Sequence, residues 1–164
     1  MITKNKARFI KQPENRIIKV TKDIDAPVET VWVAWTNPQQ LDQWWGPQPW
    51  KAVTQKMNFT RGGSWLYYMA GPNGEKQWSR ADFIDIRSPH YFTATDLFTD
   101  ENGNRNTEMP SMHWTTRFAE ANGGTSIEVE VKFESKEDMD KILQTGFEEG
   151  FSQGLEQLDE LISG

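Results

Sequence analysis

Residues 135–162 of this chain read SKEDMDKILQTGFEEGFSQGLEQLDELI and hold its longest helical pattern. Apolar side chains recur there at three- and four-residue spacing, which predicts one amphipathic helix with a buried stripe. Ser135, followed by Asp138 three residues later, predicts the N-cap of this helix. At 1.5 Å per residue the helix extends for about 40 Å. The buried stripe consists of Met139, Ile142, Leu143, Phe147, Phe151, Leu155, Leu158 and Ile162.

Gly146, Gly150 and Gly154 stand at four-residue steps within this predicted helix. Each glycine costs about 1 kcal/mol of helix stability relative to Ala, so some other contribution has to offset them. One explanation is close contact between the helix backbone and a strand. The other is a space beside Phe147 and Phe151 that forms a pocket between helix and sheet. Dimerisation in a membrane requires an apolar 20-residue helix, which the acidic residues of this segment exclude.

Seven segments upstream of this helix have the composition of strands and are separated by turns rich in Gly, Pro and Asn. The last of them, TSIEVEVKF, alternates apolar with polar or charged residues, as expected for a strand with one solvated face. Consecutive hairpins predict an antiparallel sheet. The segments are residues 16–24, 50–60, 64–70, 76–87, 91–99, 111–120 and 125–133.

Two short helices are predicted after the first strand. Asp25-Ala26-Pro27 indicates the start of the first helix, Asn37-Pro38 ends it and caps the second, and Gly46-Pro47 ends the second. The chain is therefore predicted to have an α+β fold, in which the long C-terminal helix covers one face of a seven-stranded antiparallel sheet. We place an N-terminal arm at residues 1–15 and a single domain at residues 16–164.

The composition excludes several classes of function. Eight Trp, three Tyr and nine Phe predict a core of few, large side chains. A net charge of −6 argues against nucleic acid, an anionic membrane surface or a strongly acidic substrate as partner. The absence of Cys excludes disulfides, thiolate catalysis and Cys-ligated metals, and two His leave little for a zinc site. With no apolar run long enough to span a bilayer, we expect a cytoplasmic protein without metal, cofactor or membrane insertion.

The turn positions also predict which strand residues face the helix. An aromatic and Met-rich lining is typical of a pocket for a flat, hydrophobic small molecule. A register error of one residue would turn a strand inside out. On the strands, the expected inward positions are Trp65, Tyr67, Met69, Trp78, Met112, Trp114, Thr116 and Phe118. The expected ligand-binding residues are Trp44, Trp65, Tyr67, Met69, Trp78, Trp114, Gly146, Phe147, Gly150, Phe151 and Gly154.

No residue is predicted to be catalytic. His113 is out of phase with its inward neighbours and His90 lies in a turn, so both are expected to face solvent. The acidic residues of the C-terminal helix, Asp159 among them, are assigned to its solvated face. The orientation of three carboxylates on central strands stays open, because one that points into the cavity would polarise a ligand. These are Asp82, Asp85 and Asp96.

Several dispersed motifs occur together in a fixed order. They are Ile24-Asp25-Ala26-Pro27, Val31-Trp32, Thr36-Asn37-Pro38, Trp44-Trp45-Gly46-Pro47, Gly62-Gly63, Pro72-Asn73-Gly74 and GFEEGFSQ at residues 146–153. Together they resemble the family of activator-of-heat-shock-protein-90-ATPase homologues, within the START-like, birch-pollen-allergen-like superfamily, over about residues 16 to 162. The resemblance implies a helix-grip fold, in which a curved antiparallel sheet wraps around the C-terminal helix and two small helices close one end of a cavity.

The chain departs from the family pattern at two places. Many members have an Asp-aliphatic-Arg sequence before the paired glycines, whereas this chain has Asn58-Phe59-Thr60 and lacks that charged contribution. Phe147 and Phe151 stand where Trp is common. An aromatic wall is therefore kept, but the indole N–H donors are lost.

Three functions are compatible with the sequence. The favoured one is binding of a hydrophobic or aromatic small molecule between the C-terminal helix and the sheet. The second, implied by the resemblance, is a protein-interaction role similar to that of chaperone activators, with an exposed Trp44–Trp50 segment as the contact surface. The third is an enzyme acting on an aromatic or polyketide-like compound, which requires an inward carboxylate or His with a shifted pKa.

Overall fold

An eight-stranded antiparallel sheet and four α-helices make up the computed structural model, which describes residues 6–163. The strand order across the sheet is β1-β2-β8-β7-β6-β5-β4-β3, and every neighbouring pair is antiparallel. The predicted α+β helix-grip fold is confirmed. The strands are β1 (Arg8–Gln12), β2 (Ile17–Ile24), β3 (Lys51–Met57), β4 (Ser64–Ala70), β5 (Lys76–Arg87), β6 (Tyr91–Thr99), β7 (Met112–Ala121) and β8 (Gly124–Phe133). The helices are α1 (Val28–Thr36), α2 (Pro38–Trp44), α3 (Lys136–Leu143) and α4 (Phe147–Ser163), besides a short 3-10 helix at Pro13–Asn15.

The sheet has one strand more than the seven expected, because residues 8–12 form β1 at its edge. This strand lies in the segment that we assigned to an N-terminal arm. Its Phe9 is opposite Val20 of β2, and the Phe9 ring lies 6.3 Å from the ring of Phe151 in α4. The aromatic contact of Phe9 with the core thus favours pairing of a segment whose other residues are mostly polar.

The C-terminal segment forms two helices, so the expectation of one continuous helix was wrong. Ser135 caps α3 as predicted, since its Oγ accepts a hydrogen bond from the amide of Asp138 at 3.1 Å. The break comes at Gly146, whose φ of +88° is strained for any residue with a Cβ. The amides of Thr145 and Gly146 bond the carbonyls of Ile142 and Leu143, which closes the last turn of α3. Gly146 is therefore a helix terminator rather than an interior glycine.

Two short helices follow β2 as predicted, but the first of them begins without a side-chain cap. Pro27, without a side-chain hydrogen bond, precedes α1, so Asp25 is not its cap. Asn37 does cap α2, because its side chain accepts from the amide of Gln40 at 3.1 Å. At the end of α2, the indole of Trp44 donates to the carbonyl of Ala34 at 2.8 Å and fixes the two helices together.

The core lies between the inner face of the sheet and the helices. Lys22, which interrupts the apolar face of β2, points into this core and pairs with Asp159 of α4 at 3.0 Å. The two side chains are only 1% and 8% exposed. The assignment of Asp159 to a solvated helix face was therefore wrong, because the buried Lys22 supplies its counter-charge.

Candidate functional site

A cleft of about 370 Å³ opens between the N-terminal half of α4, the loop after α2 and the inner face of β4 to β7. Seven of its seventeen lining residues within the described chain are aromatic, and the ring-centroid distances among Trp45, Trp114, Phe147 and Phe151 are 5.3–6.0 Å. The lining residues are Trp45, Pro47, Trp50, Tyr67, Met69, Gln77, Ser79, Asp96, Leu97, Phe98, Met112, Trp114, Thr145, Gly146, Phe147, Gly150 and Phe151.

A second cavity, of about 30 Å³, lies deeper in the core and shares Trp45, Asp96 and Trp114 with the outer cleft. We call it the inner chamber. Its volume is comparable to that of one water molecule or one small polar group. It is lined by Trp35, Leu41, Trp45, Met57, Trp65, Ala81, Phe83, Phe92, Ala94, Asp96, Trp114 and Thr116.

Asp96 is the carboxylate common to both cavities. Burial, and secondarily the charge of Asp82, raises its pKa to about 8. Asp96 therefore holds its proton at neutral pH and is able to donate a hydrogen bond to a ligand. Asp82 and Asp85 instead pair with arginines, Asp82 with Arg80 at 2.8 Å and Asp85 with Arg87 at 3.1 Å, and neither lines the two cavities.

The phenol of Tyr67 stands beside Asp96 in the outer cleft. Its oxygen accepts a hydrogen bond from the Trp45 indole at 3.0 Å. Burial, followed by the charge of Asp96, raises the pKa of Tyr67, although hydrogen bonds with Trp45 and Ser79 oppose the shift. Tyr67 is thus a neutral phenol at physiological pH, fixed in orientation by the indole.

Three buried polar atoms have no hydrogen-bond partner among the residues that the structure describes. They are Nε1 of Trp35, Nε1 of Trp114 and Oγ1 of Thr116. All three residues line the inner chamber, and each is at most 6% exposed. Buried donors are almost always satisfied in native proteins, so a water molecule or a ligand atom in this chamber would supply the partner that these groups lack.

Two amide side chains of α4, those of Gln153 and Gln157, hold the loop that forms one wall of the cleft. Gln157 of α4 donates from Nε2 to the carbonyls of Trp44 and Gly46, at 3.0 and 2.8 Å. Its Oε1 accepts from the amide of Gln48 at 3.0 Å. Gln153 adds a fourth bond, from its Nε2 to the carbonyl of Gln48 at 3.1 Å. Together these bonds hold Pro47 opposite Gly150 across the cleft.

Most of the residues expected to bind a ligand are brought together. Trp65 and Trp114 line the inner chamber. The residues of the expected set that line the outer cleft are Tyr67, Met69, Trp114, Gly146, Phe147, Gly150 and Phe151. On β7, the predicted inward positions Met112, Trp114, Thr116 and Phe118 are all buried, and His90 and His113 are exposed.

Three expected residues lie elsewhere. Trp44 is completely buried beneath the cleft, where its indole bonds the backbone. Trp78 lies on the outer face of the sheet against Tyr68, at a ring distance of 4.7 Å, because the phase of β5 directs Ser79 inward. Gly154 faces α2: an added Cβ would lie 3.4 Å from the Trp44 carbonyl oxygen, so this glycine serves close helix packing.

Sequence reasoning missed Trp35 and Trp45. Trp45 follows α2 directly, and a helix of two turns does not decide which of the adjacent Trp44 and Trp45 lines the cavity. Trp35 belongs to the apolar stripe of α1, which gave the only signal that it faces inward. Ser79 pairs with Tyr67 across β4 and β5, and this pairing is the signal that would have placed Ser79 on the inner face of the sheet.

The described part of the chain contains no group of three His, Cys, Asp or Glu side chains arranged to hold a metal ion. Within the same residues, no helix combines the length and apolar character needed to cross a membrane. The Trp44–Trp50 segment presents no exposed tryptophan cluster, because Trp44 is buried and both Trp45 and Trp50 are half-buried.

Comparison with known proteins places the chain in a family. Residues 25–163 match the family described as "Activator of Hsp90 ATPase homolog 1-like protein". A solution structure of a protein from Arthrobacter aurescens is 35% identical, with a TM-score of 0.90 over 95% of this chain and 91% of that one. A crystal structure from Mycobacterium smegmatis is 30% identical, with a TM-score of 0.88 over 94% of each chain.

A protein from Staphylococcus epidermidis is 28% identical, with a TM-score of 0.83 over 94% of this chain and 93% of that one. The search of curated proteins gives no match. The family match covers most of the chain and agrees with the resemblance drawn from the dispersed motifs. This chain is a member of the family of activator-of-Hsp90-ATPase-homologue-1-like proteins.

Proposed function

We propose that this protein binds a hydrophobic or aromatic small molecule in the cleft between α4 and the sheet. The observation that carries the proposal is the cleft itself, whose volume of about 370 Å³ falls in the range of small-molecule sites. Trp45, Trp114, Phe147 and Phe151 contribute to its apolar surface, and the polar side chains of Tyr67, Ser79 and Asp96 belong to the same lining. Such a combination favours a flat ligand held by ring contacts and oriented by hydrogen bonds.

Gly150 supports the proposal because it leaves room in the cleft wall. A Cβ built at this position would meet only Pro47, at 3.6 Å, which is an ordinary van der Waals distance. Close packing therefore does not explain Gly150, in contrast to Gly154. A larger side chain at position 150 would extend from α4 into the space between Pro47 and Phe151.

The test is a titration with the neutral fluorescent probe N-phenyl-1-naphthylamine, combined with native mass spectrometry of protein purified from its own host. We expect saturable binding of one probe per chain by the natural protein and by Gly150→Ala. Gly150→Phe should weaken binding at least tenfold because the ring occupies the cleft. Gly150→Ala is the matched control, since it also removes the helix glycine but adds little volume.

Two results would contradict the proposal. One is the absence of saturable probe binding together with a clean apo mass. The other is equal probe affinity of the Gly150→Phe and Gly150→Ala proteins, which would place the probe outside the cleft. Circular dichroism spectra of both variants establish that the fold is retained.

Asp96 favours a second candidate function, an enzyme acting on an aromatic or polyketide-like compound. The requirement for an inward carboxylate with a shifted pKa is met by Asp96, whose raised pKa of about 8 suits general acid–base chemistry near neutral pH. Incubation with a panel of aromatic ketones, followed by mass spectrometry, tests it. Turnover that disappears in Asp96→Asn supports this function, and the absence of any product contradicts it.

The protein-interaction role has less support. The segment expected to provide an exposed tryptophan surface is folded into the cleft and core, with Trp44 completely buried. Its remaining tryptophans, Trp45 and Trp50, line the ligand cleft.

A further inference from the structure

We infer that the inner chamber is the polar end of the ligand site and binds one carbonyl or phenolic oxygen of an aromatic ligand whose rings lie in the outer cleft. The inference rests on the proposed function, because it requires the outer cleft to hold the rings. It adds a class of ligand: neutral aromatic compounds carrying a hydrogen-bond-accepting oxygen.

The chemistry of the chamber determines what it accepts. The indole N–H groups of Trp35 and Trp114 are donors only, so their partner must bring a lone pair. The hydroxyl of Thr116 both donates and accepts. An oxygen atom brings the lone pairs that the two indoles need, and a hydroxyl oxygen also has a hydrogen to donate to Thr116. An alkyl group brings neither, and an ammonium group has no lone pair to offer the indoles.

The size and position of the chamber also favour a single oxygen-containing group as its occupant. Its volume of about 30 Å³ admits a carbonyl or hydroxyl group but not a ring. Trp45, Asp96 and Trp114 contribute to the walls of both cavities, so the two cavities are neighbours. An oxygen attached to rings in the outer cleft would enter the chamber between these three side chains. Of residues 6–163, Asp96 is the only carboxylate that lines both cavities.

The chamber also accounts for an unusual placement of polar atoms. Thr116 is on β7 opposite Phe92 and Val129, and Trp114 is opposite Ala94 and Val131. These partners are apolar and leave the Thr116 hydroxyl and the Trp114 indole without a cross-strand hydrogen bond. Their pairing therefore depends on what enters the chamber.

A matched series of naphthalenes tests the inference on the natural protein. 2-Naphthol and 2-acetylnaphthalene carry the oxygen, and 2-methylnaphthalene presents a methyl group in its place. We measure the three dissociation constants by displacement of N-phenyl-1-naphthylamine. The oxygenated compounds should bind at least tenfold tighter, because a site built to hydrogen-bond a polar group discriminates strongly against the analogue that lacks it.

Three variants connect the discrimination to the chamber. Trp35→Phe and Thr116→Val each remove one hydrogen-bonding group from a residue that lines the chamber but not the outer cleft. Each should weaken 2-naphthol binding at least fivefold and leave 2-methylnaphthalene within twofold. Trp50→Phe is the control, because Trp50 lines the outer cleft but not the chamber. It should change the affinity for both compounds by the same factor.

A readout that does not depend on affinity comes from the indole N–H resonances in ¹H–¹⁵N spectra. On addition of 2-acetylnaphthalene, the Trp35 and Trp114 resonances, assigned with the Trp→Phe proteins, should move downfield as they gain an acceptor. Equal affinities for the three naphthalenes, or unmoved indole resonances at saturation, would overturn this inference and leave the proposed function standing. If N-phenyl-1-naphthylamine and the naphthalenes all fail to bind, the proposed function itself is wrong, and the inference falls with it.

Discussion

Replacing Lys22 by Met should destabilise the protein far more than the loss of an ordinary surface charge. The Lys22 ammonium lies 3.0 Å from the Asp159 carboxylate, with the two side chains 1% and 8% exposed. Removing the cation leaves Asp159 buried without its counter-charge, which costs roughly 3–5 kcal/mol in comparable buried pairs. For a chain of this size each kcal/mol lowers the Tm by about 2–4 °C, so the Tm should fall by roughly 6–20 °C.

The assay is urea unfolding at pH 7, followed by tryptophan fluorescence and by circular dichroism. Lys11→Met is the matched control, since Lys11 pairs with Glu148 at 3.6 Å with both side chains well exposed. Its loss should cost less than about 1 kcal/mol. The double variant Lys22→Met/Asp159→Leu removes both charges and should recover much of the lost stability, because an apolar pair of similar volume replaces a buried ion pair at little cost.

The reasoning is refuted if Lys22→Met costs no more than Lys11→Met. It is also refuted if the losses of the single variants at positions 22 and 159 simply add in the double variant. Additive losses would mean that the two charges do not stabilise each other.

Three further predictions concern single residues. Gly150→Ala should stabilise the protein by about 1 kcal/mol, because its Cβ meets only Pro47 at 3.6 Å; a lower urea midpoint would contradict this. Gly146→Ala should instead cost about 1–2 kcal/mol, since φ is +88°; an unchanged midpoint would contradict it. The pKa of Asp96 is raised to about 8 in the folded protein, whereas the unfolded chain releases this proton near pH 4. The folded state therefore binds one proton more between these values, and the free energy of unfolding falls as the pH rises from about 4 to 8. Asp96→Asn should remove that decrease, so its stability relative to the natural protein, measured by urea unfolding at pH 5, 7 and 9, should increase with pH; a constant difference would show that Asp96 does not titrate in this window.

The sequence predicts strands well where one face is cleanly apolar. On β7 and β8 the alternation is uninterrupted, and the buried residues are those in phase with it. Alternation on β6 also groups Asp96 with Phe92 and Ala94, so its inward position was available from the pattern. The wrong placement of Trp78 arose because the outer face of this sheet carries its own aromatic pair, with Tyr68, and composition alone does not distinguish the two faces.

Contacts between distant segments were beyond the reach of local patterns. Lys22 and Asp159 are 137 positions apart, and each charge by itself is typical of a solvated surface. The break at Gly146 was missed for a different reason. A glycine every four residues is consistent with a helix face, and only the backbone conformation reveals that this one ends α3.

Gln157 supports one wall of the cleft without being part of the cleft lining. Its amide helps to hold the loop carrying Pro47, yet Gln157 itself is absent from the lining of both cavities. On the proposed function, a substitution at position 157 that removes these bonds should alter the opening opposite Gly150 while leaving every lining side chain in place. The width of that opening and the chemistry of its walls are thus determined by different residues.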